Sequence, residues 1–393
     1  MNSPDRDIPG LASSLPQWER MLASLQATGQ HIARGSRVQT PLAQAQLCRY
    51  LQRVLRGMLL TAIEVDDADY PQLVRLFDTY LPYGNSNPDC TYFHATVAPQ
   101  HDYRIHGRRG TARILEIQLM DGHFVAAPAH KGLRTLTDIQ PDADGNIDVL
   151  LSATERPGVS LPLDPGAHWL YVRQYFYDWD TEVPADLVIE RVGAEYPPPL
   201  PSAAALARRF DQLIEWIPTW YRFLEARMEG YFAAPADRCV FSTSTGGMDG
   251  MFYGKGHFRC EPDEAVIVEF RPPECRYWSF QIMNTFWESQ EFDVRQTSLN
   301  GHQARLDPDG VFRGVISITD PGVPNWLDPV GHAQGLICAR ALNPARPPEV
   351  ALRVVRLDAL RRELHAATPT ITAAERSATL HRRMLAARRR YRE

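Results

Sequence analysis

The strongest constraint on the fold is a change of hydrophobic period near Asn85. From there, apolar and polar residues alternate over short stretches bounded by glycine, proline and aspartate, which is typical of half-buried β-strands. The alternation predicts strands at residues 91–97, 103–106, 111–119, 147–151, 168–177 and 187–192. We expect a mostly antiparallel sheet, with residues 107–110 forming a hairpin turn between the second and third strands.

A second β-rich region follows a proline run at residues 197–201. Ser202 is placed to cap a long amphipathic helix that runs to about Phe232 and contains Pro218. Beyond this helix, residues 240–259 are punctuated by glycines, and strands are predicted at residues 265–270, 277–283, 312–318 and 336–341. The sequence has no repeat of fixed period, but two β-rich halves that each follow helical segments indicate a coarse duplication of architecture.

Helical patterns flank the β-rich regions. They predict helices at 15–33, 41–59 and 70–80, and a basic C-terminal helix that begins at Thr372 with Glu375 in a capping box. The predicted domains are a helical N-terminal segment (1–84), a first β-rich domain (85–197), a connecting helix (198–235), a second β-rich domain (236–345) and a C-terminal helical basic tail (346–393). The predicted fold class is therefore α+β and β-dominated, with two antiparallel β-sandwich or jelly-roll-like regions.

The composition limits the classes of partner that we expect for this protein. The formal net charge of −5 gives no reason to expect a nucleic acid. No window approaches the ~20 apolar residues of a membrane span, and the first residues lack a signal-peptide pattern, so we expect a soluble, cytoplasmic protein. The six cysteines lack C-x-x-C spacing and there is no H-E-x-x-H pattern, so we expect neither metal nor cofactor. A small-molecule ligand is the expected partner, and a homo-oligomer is compatible with the sequence.

Nucleotide and hydrolase signatures are missing from the sequence. The small polar run at residues 242–247 has no Walker lysine, and no G-x-S-x-G elbow occurs. A bend beside a ligand is the role that we expect for this run, because glycine allows the backbone to approach a ligand closely.

The predicted strand at 277–283 carries the most informative aromatic pattern. One face would hold Tyr277, Ser279, Gln281 and Met283, and the other Trp278, Phe280, Ile282 and Asn284. Phe286, Trp287 and Glu288 follow immediately. Large rings beside amides and a carboxylate are typical of a cleft for an apolar or cyclic ligand. A sandwich core with aromatic residues at the sheet edges is the alternative.

Several short motifs in the same region resemble a known pair of families. Asn325-Trp326-Leu327, the Tyr277–Phe280 strand and the Asn300-Gly301-His302 turn resemble the domain of unknown function numbered 1214. The run from Asn87-Pro88-Asp89 to Tyr92 is similar to an element of the partner domain numbered 1254. The resemblance implies two β-sandwich or jelly-roll domains associated through helices, and it carries no agreed activity or cofactor.

Candidate catalytic residues follow from this neighbourhood. Glu288 lies beside Trp287, and a carboxyl group in a poorly solvated aromatic wall can serve as a proton donor. Asp89 and His332 are the predicted catalytic partners, with Glu274 and Asp328 as further candidates; a turn or salt-bridge role is the alternative for each acid. The predicted substrate-binding residues are Asn87, Tyr92, Tyr253, Trp278, Asn284, Trp287, Asn325 and Trp326.

Three functions are compatible with the sequence. The first is a cofactor-independent enzyme that binds a lipid, isoprenoid, steroid or glycoside and uses acid/base residues for hydrolysis, elimination or isomerisation. The second is a non-catalytic carbohydrate- or lipid-binding protein in which Trp278, Trp287 and Trp326 form a stacking surface. The third is a protein-interaction scaffold that uses the N-terminal helices and the arginine-rich tail.

Overall fold

The computed structural model describes residues 15–35, 38, 40–122, 131–137, 139–244 and 247–392. Residues 1–14 of the predicted helical N-terminal segment lie outside the described residues, as do residues 245–246 of the small polar run at 242–247. The fold is α+β and β-dominated, as predicted, with two β-sandwiches joined by helices. None of the helices in the described part of the chain is both long and apolar enough to cross a membrane.

The first half is a sandwich of two sheets. Its strands are β1 (Val74–Phe77), β2 (Cys90–Thr96), β3 (Tyr103–Arg108), β4 (Ile114–Asp121), β5 (Lys131–Leu136), β6 (Asn146–Ser152), β7 (Val159–Pro162), β8 (Ala167–Tyr175) and β9 (Asp186–Arg191). One sheet has the order β1-β2-β8-β4-β5 and the other β7-β6-β3-β9. Ile105, Ile117, Val149 and Val172 are among the apolar residues that fill the space between them.

The second half is also a two-sheet sandwich. Its strands are β10 (Val240–Ser242), β11 (Met251–Arg259), β12 (Glu264–Phe270), β13 (Tyr277–Met283), β14 (Ser298–Asn300), β15 (Phe312–Ile316), β16 (Trp326–Leu327), β17 (Gln334–Leu342) and β18 (Val350–Arg356). The sheet orders are β10-β11-β17-β13-β14 and β16-β15-β12-β18. Trp278, Phe280 and Ile282 lie in the apolar core of this sandwich.

The two halves have the same strand order. Each strand of the second half takes the place in its sheet that the strand nine positions earlier takes in the first half. A parallel pair also lies at the equivalent place in each half, β6 with β7 in the first and β15 with β16 in the second. This confirms the predicted duplication of architecture and shows that it extends to topology.

Helices cover and join the halves. The N-terminal helices are α1 (Leu15–Ala33) and α2 (Pro41–Leu59), which continues into a π-helical turn at Leu60–Glu64. The connecting helix α3 (Ala203–Phe232) begins at its N-cap Ser202 and contains Pro218, as predicted. Leu213, Ile217 and Trp220 of α3 share an apolar core with α1 and α2.

The C-terminal helix is bound to the body by arginines. A short helix α4 (Leu360–Glu363) precedes α5 (Ala373–Arg390), which has the predicted Thr372–Glu375 capping box. Arg376, Arg383 and Arg390 follow one another at intervals of seven residues and are all buried. Arg383 donates to the Phe292 carbonyl, and Arg390 donates to a carbonyl of the first half at Pro88. The basic helix is therefore an internal connection between the halves, while Arg382, Arg388 and Arg389 stay exposed.

Three local predictions were wrong. The segment predicted as a helix at 70–80 contains strand β1, which pairs with β2. The tail 346–393 is not helical throughout, because β18 lies within it. The hairpin at 107–110 does not form, since β3 pairs with β6 and β9 in one sheet and β4 with β5 and β8 in the other. Both strands point apolar residues into one core, and alternation cannot distinguish a neighbour in the same sheet from one in the opposite sheet.

Candidate functional site

A cavity of about 180 Å³ lies between the two five-stranded sheets and beneath helix α3. Nine of the residues that line it are aromatic: Phe77, Tyr92, Tyr171, Tyr175, Trp220, Phe223, Tyr231, Tyr253 and Trp287. Four cationic side chains also line it: Arg173, Arg227, Lys255 and Arg340. No aspartate or glutamate lines the cavity within the described ranges. The space therefore combines apolar walls with an excess of positive charge.

Equivalent residues of the two halves meet at this cavity. Tyr92 and Tyr253 are the third residues of β2 and β11, and Arg173 and Arg340 the seventh residues of β8 and β17. Each tyrosine lies directly opposite the arginine of its own half on the neighbouring strand. The duplicated topology therefore places a tyrosine–arginine pair from each half in the wall of one pocket.

The second layer of contacts is duplicated as well. Arg173 donates to the side-chain oxygen of Gln118 at 2.6 Å, and Arg340 donates to that of Gln281 at 2.7 Å. These glutamines are the fifth residues of β4 and β13. Each in turn donates to a backbone carbonyl of the other half, Gln118 to Gly247 and Gln281 to Ser86. The glutamines thus orient the arginines and join the halves.

The hydroxyl groups of the two tyrosines are also held in the same way. The Asn87 N–H donates to the Tyr92 hydroxyl oxygen at 3.0 Å, and the Met248 N–H donates to that of Tyr253 at 3.3 Å. Burial raises the pKa of both phenols, so both are protonated at neutral pH. Each hydroxyl oxygen is an acceptor for the backbone. The Tyr92 hydroxyl also hydrogen-bonds to the Cys90 thiol, whereas the Tyr253 hydroxyl proton has no acceptor among the described residues.

The two arginines differ in their counter-charge. Glu116, the third residue of β4, lies opposite Arg173 and forms a buried ion pair with it. The equivalent residue of β13 is Ser279, opposite Arg340. Arg340 donates to the Asn85 carbonyl at 2.8 Å and its side-chain oxygen at 2.9 Å, and no acidic residue in the described part of the chain forms an ion pair with it. Arg340 is therefore a buried cation held by neutral groups.

Asn85 and Trp287 form the part of the wall where the backbone is strained. Their φ angles are 58° and 63°, in the left-handed region that a bulky residue such as tryptophan rarely adopts. The Asn284 side-chain oxygen accepts the N–H groups of Phe286 and Glu288 and so stabilises the turn. Strain of this kind is concentrated at ligand sites in proteins.

Glu288, the first predicted catalytic residue, is buried beside this turn but does not line the cavity. Its carboxylate accepts a hydrogen bond from Arg53 of α2 at 2.9 Å and another from Asn284 at 2.8 Å. The carboxylate thus neutralises an equally buried guanidinium, and Asn284, a predicted binding residue, supports the pair.

Asp89 holds the two halves together. Its carboxylate accepts hydrogen bonds from the Tyr277 hydroxyl at 2.6 Å, the Trp179 indole at 2.8 Å and the Asn300 amide at 2.8 Å. Asn87 donates to the same tyrosine hydroxyl at 2.9 Å. Neither Asn87 nor Asp89 lines the cavity.

The remaining predicted residues lie in structural positions. Trp278 packs against Phe270 and Phe312 in the second sandwich core. Trp326 is buried and donates to the Ser317 carbonyl, while Asn325 bonds to the backbone of Arg305. His332 is buried, its Nε2 atom has no hydrogen-bond partner among the described residues, and burial lowers its pKa. The structure brings Glu288, Asp89 and His332 into no shared contact within the described residues.

Of the predicted site residues, Tyr92, Tyr253 and Trp287 line the cavity. The sequence analysis missed the four cations of the wall. Arg340 is the one charged residue of the largely apolar strand Gln334–Leu342, and Arg173 is the one arginine of strand β8. Because arginine is rarely buried without a partner, a lone arginine in such a strand is a signal that could have identified both residues. Among the described residues, no group of three or more histidine, cysteine, aspartate or glutamate side chains could hold a metal ion.

Comparisons with known proteins support the fold. No family model matches the sequence, and no curated protein matches it. A crystal structure of an uncharacterized protein from Burkholderia cenocepacia is similar, with a TM-score of 0.83 and 29% identity over 87% of this chain and 97% of that chain. A protein from Vibrio parahaemolyticus gives a TM-score of only 0.44 at 11% identity, covering 76% of this chain and 98% of that chain. The resemblance to the families numbered 1214 and 1254 stays a prediction.

Proposed function

We propose that this chain binds a small apolar or cyclic molecule in the cavity between its two halves. The observation that carries the proposal is the aromatic wall, to which both sheets, helix α3 and the strained Trp287 turn contribute. Aromatic side chains with a few oriented polar groups are typical of small-molecule sites.

The size of the cavity supports a compact ligand. An apolar cavity of about 150 Å³ accommodates benzene in an engineered protein interior. The cavity of about 180 Å³ therefore suits a single ring with a short substituent, and its opening would allow a longer ligand to extend to solvent.

Acid/base chemistry on such a ligand is a second candidate function. Protonated Tyr253 supports it, because it lines the cavity opposite the Arg340 guanidinium and its O–H proton has no acceptor among the described residues. The roles predicted for Glu288, Asp89 and His332 stay predictions; each would have to act from outside the cavity wall. The six cysteines are free thiols, which supports a reducing compartment such as the cytoplasm.

The two alternative functions have less structural support. A stacking surface of three tryptophans needs exposed rings, whereas Trp278 and Trp326 are buried in separate surroundings. The C-terminal helix keeps Arg382, Arg388 and Arg389 exposed. It is not a free tail, however, because Arg376, Arg383 and Arg390 bind the body of the same chain.

A fragment screen tests the proposal. Single-ring compounds would be screened by thermal shift, and hits would be measured by calorimetry on the wild type and on Ser242→Trp, which places an indole at the cavity mouth. Val240→Trp is the matched control, because Val240 is exposed on the same short strand and does not line the cavity. We expect Ser242→Trp to weaken binding at least tenfold and Val240→Trp to leave it unchanged. Equal binding to both variants contradicts the proposal.

A further inference from the structure

We infer that the ligand carries an anionic group, a carboxylate or a phosphate, that binds to Arg340 with Lys255 on one face of the second-half sheet. The inference deepens the proposed function and rests on it, since it specifies the chemistry of the molecule in the same cavity. It is carried by a difference between two otherwise equivalent halves.

That difference is the loss of one carboxylate. Arg173 and Arg340 have equivalent strand positions, and each donates to the equivalent glutamine of its own half. The residue opposite the arginine, however, is Glu116 in the first half and Ser279 in the second. A buried guanidinium without an anion is unfavourable, because neutral hydrogen bonds do not restore the solvation of its charge. The second half therefore has a cation whose counter-charge the described residues do not supply.

Arg340 also keeps hydrogen-bonding capacity. A guanidinium has five N–H donors, and the three hydrogen bonds to Gln281 and Asn85 leave two of those of Arg340 without a partner among the described residues. Because Arg340 lines the cavity, these donors are within reach of an acceptor inside it. A carboxylate or phosphate oxygen is the acceptor that forms the strongest hydrogen bonds with a guanidinium.

Other donors share the face of Arg340. Tyr253 lies opposite Arg340 across the two strands, and Lys255 follows two residues later, so all three side chains point to one side of the sheet. Lys255 is half-buried at the cavity wall and forms no ion pair with an acid in the described ranges. An anion on this face would contact two positive charges and the protonated hydroxyl of Tyr253.

The opposite region of the cavity suits the rest of the ligand. Trp220, Phe223 and Trp287 form an apolar wall toward helix α3. The ligand class is thus an amphipathic acid, with a ring or short chain against the aromatic wall and an acid group on Arg340.

The test compares single-ring probes that differ in charge, of which phenylacetate and phenylacetamide are isosteres. Phenylacetate, phenyl phosphate and neutral phenylacetamide would be titrated by calorimetry into the full chain. We expect at least one of the two anions to bind at least tenfold more tightly than the amide, and which one binds more tightly distinguishes a carboxylate from a phosphate ligand. Lys255→Gln should weaken the anion about fivefold and leave the amide unchanged, while Arg259→Gln, an exposed cation on the same strand outside the cavity, should change neither.

Two further variants target the missing charge. Arg340→Gln should abolish the preference for anions, and Ser279→Glu, which restores in the second half the carboxylate present in the first, should do the same. If either fails to fold, Lys255→Gln still decides the inference. Equal affinity for phenylacetamide and both anions overturns the inference and leaves the proposed function intact. Absence of binding by all three probes, together with an empty fragment screen, overturns both.

Discussion

The N–H of Asn85 donates a hydrogen bond of 2.9 Å to the carbonyl oxygen of Trp287, and both residues have positive φ angles. Asn85 precedes strand β2 of the first half, and Trp287 follows strand β13 of the second half. The bond joins the halves at the point where Asn85 also accepts two hydrogen bonds from Arg340. The backbone conformation at Asn85 and Trp287 is therefore linked to the position of the Arg340 side chain in the cavity wall.

Replacing Asn85 should lower the free energy of unfolding by more than its left-handed backbone conformation alone would explain. Asn343 also has a positive φ, of 49°, but is exposed and away from the cavity. We expect Asn343→Ala to lower the free energy of unfolding by about 1 kcal/mol, the penalty for alanine in the left-handed region. Asn85→Ala should lower it by about 2 kcal/mol more, since Arg340 also loses a buried acceptor. Urea unfolding measures both, and equal losses would show that the Arg340 contact contributes nothing.

The ion pair between Arg53 and Glu288 should be important for stability. Glu288→Gln leaves a buried guanidinium without its anion, and we expect a loss of about 3 kcal/mol in the free energy of unfolding. Glu291→Gln is the matched control, because Glu291 pairs with Arg49 of the same helix in a much more exposed setting. That variant should lose less than about 1 kcal/mol. A fully stable Glu288→Gln protein that has lost turnover would instead favour the catalytic role.

The C-terminal helix should depend on its buried arginines and not on its overall charge. Arg376 forms an ion pair with Asp320 at 2.9 Å and donates to the carbonyl of Val323 at 2.5 Å. We expect Arg376→Met to lower the free energy of unfolding by about 2 kcal/mol, because these groups lose a charged donor. Arg382→Met removes the same charge from an exposed position of α5 and should change stability by less than about 0.5 kcal/mol. Similar losses in denaturant unfolding would contradict this assignment.

His332 should make stability depend on pH. Burial lowers its pKa below the ordinary value of about 6.5. The unfolded chain therefore binds a proton below pH ~6.5 that the folded chain resists, so stability falls as the pH decreases through this value. His332→Gln should make this fall smaller, because the variant has no imidazole whose protonation favours the unfolded chain. Urea unfolding measured across this pH range checks the prediction, and an unchanged pH profile in His332→Gln would contradict it.

The sequence predicted those elements whose local pattern is compatible with only one secondary structure. The caps at Ser202 and Thr372 and the alternation in β13 depend on local chemistry, and the structure confirms them. The pairing of β3 and β4 depends on which sheet each strand joins, and alternation does not contain that information.

The site was harder to predict for a related reason. A tryptophan beside a carboxylate has the composition of a cleft and equally that of a sandwich edge, and Trp278 and Glu288 are buried in structural contacts. The equivalence of Arg173 and Arg340 depends on strand positions separated by 167 residues of unrelated sequence. It becomes visible only when the two sheets are superimposed by strand order.

The shared strand order, together with one difference between the halves, makes the two sides of the cavity unequal for a ligand. Two identical halves would present the same groups to the cavity from both sheets, and a ligand could bind with its polar end on either arginine. Glu116 neutralises the first-half arginine and Ser279 leaves the second-half one charged, so the two orientations differ in energy. A molecule with one polar end would bind in a single orientation, and the duplicated scaffold would distinguish its head from its tail.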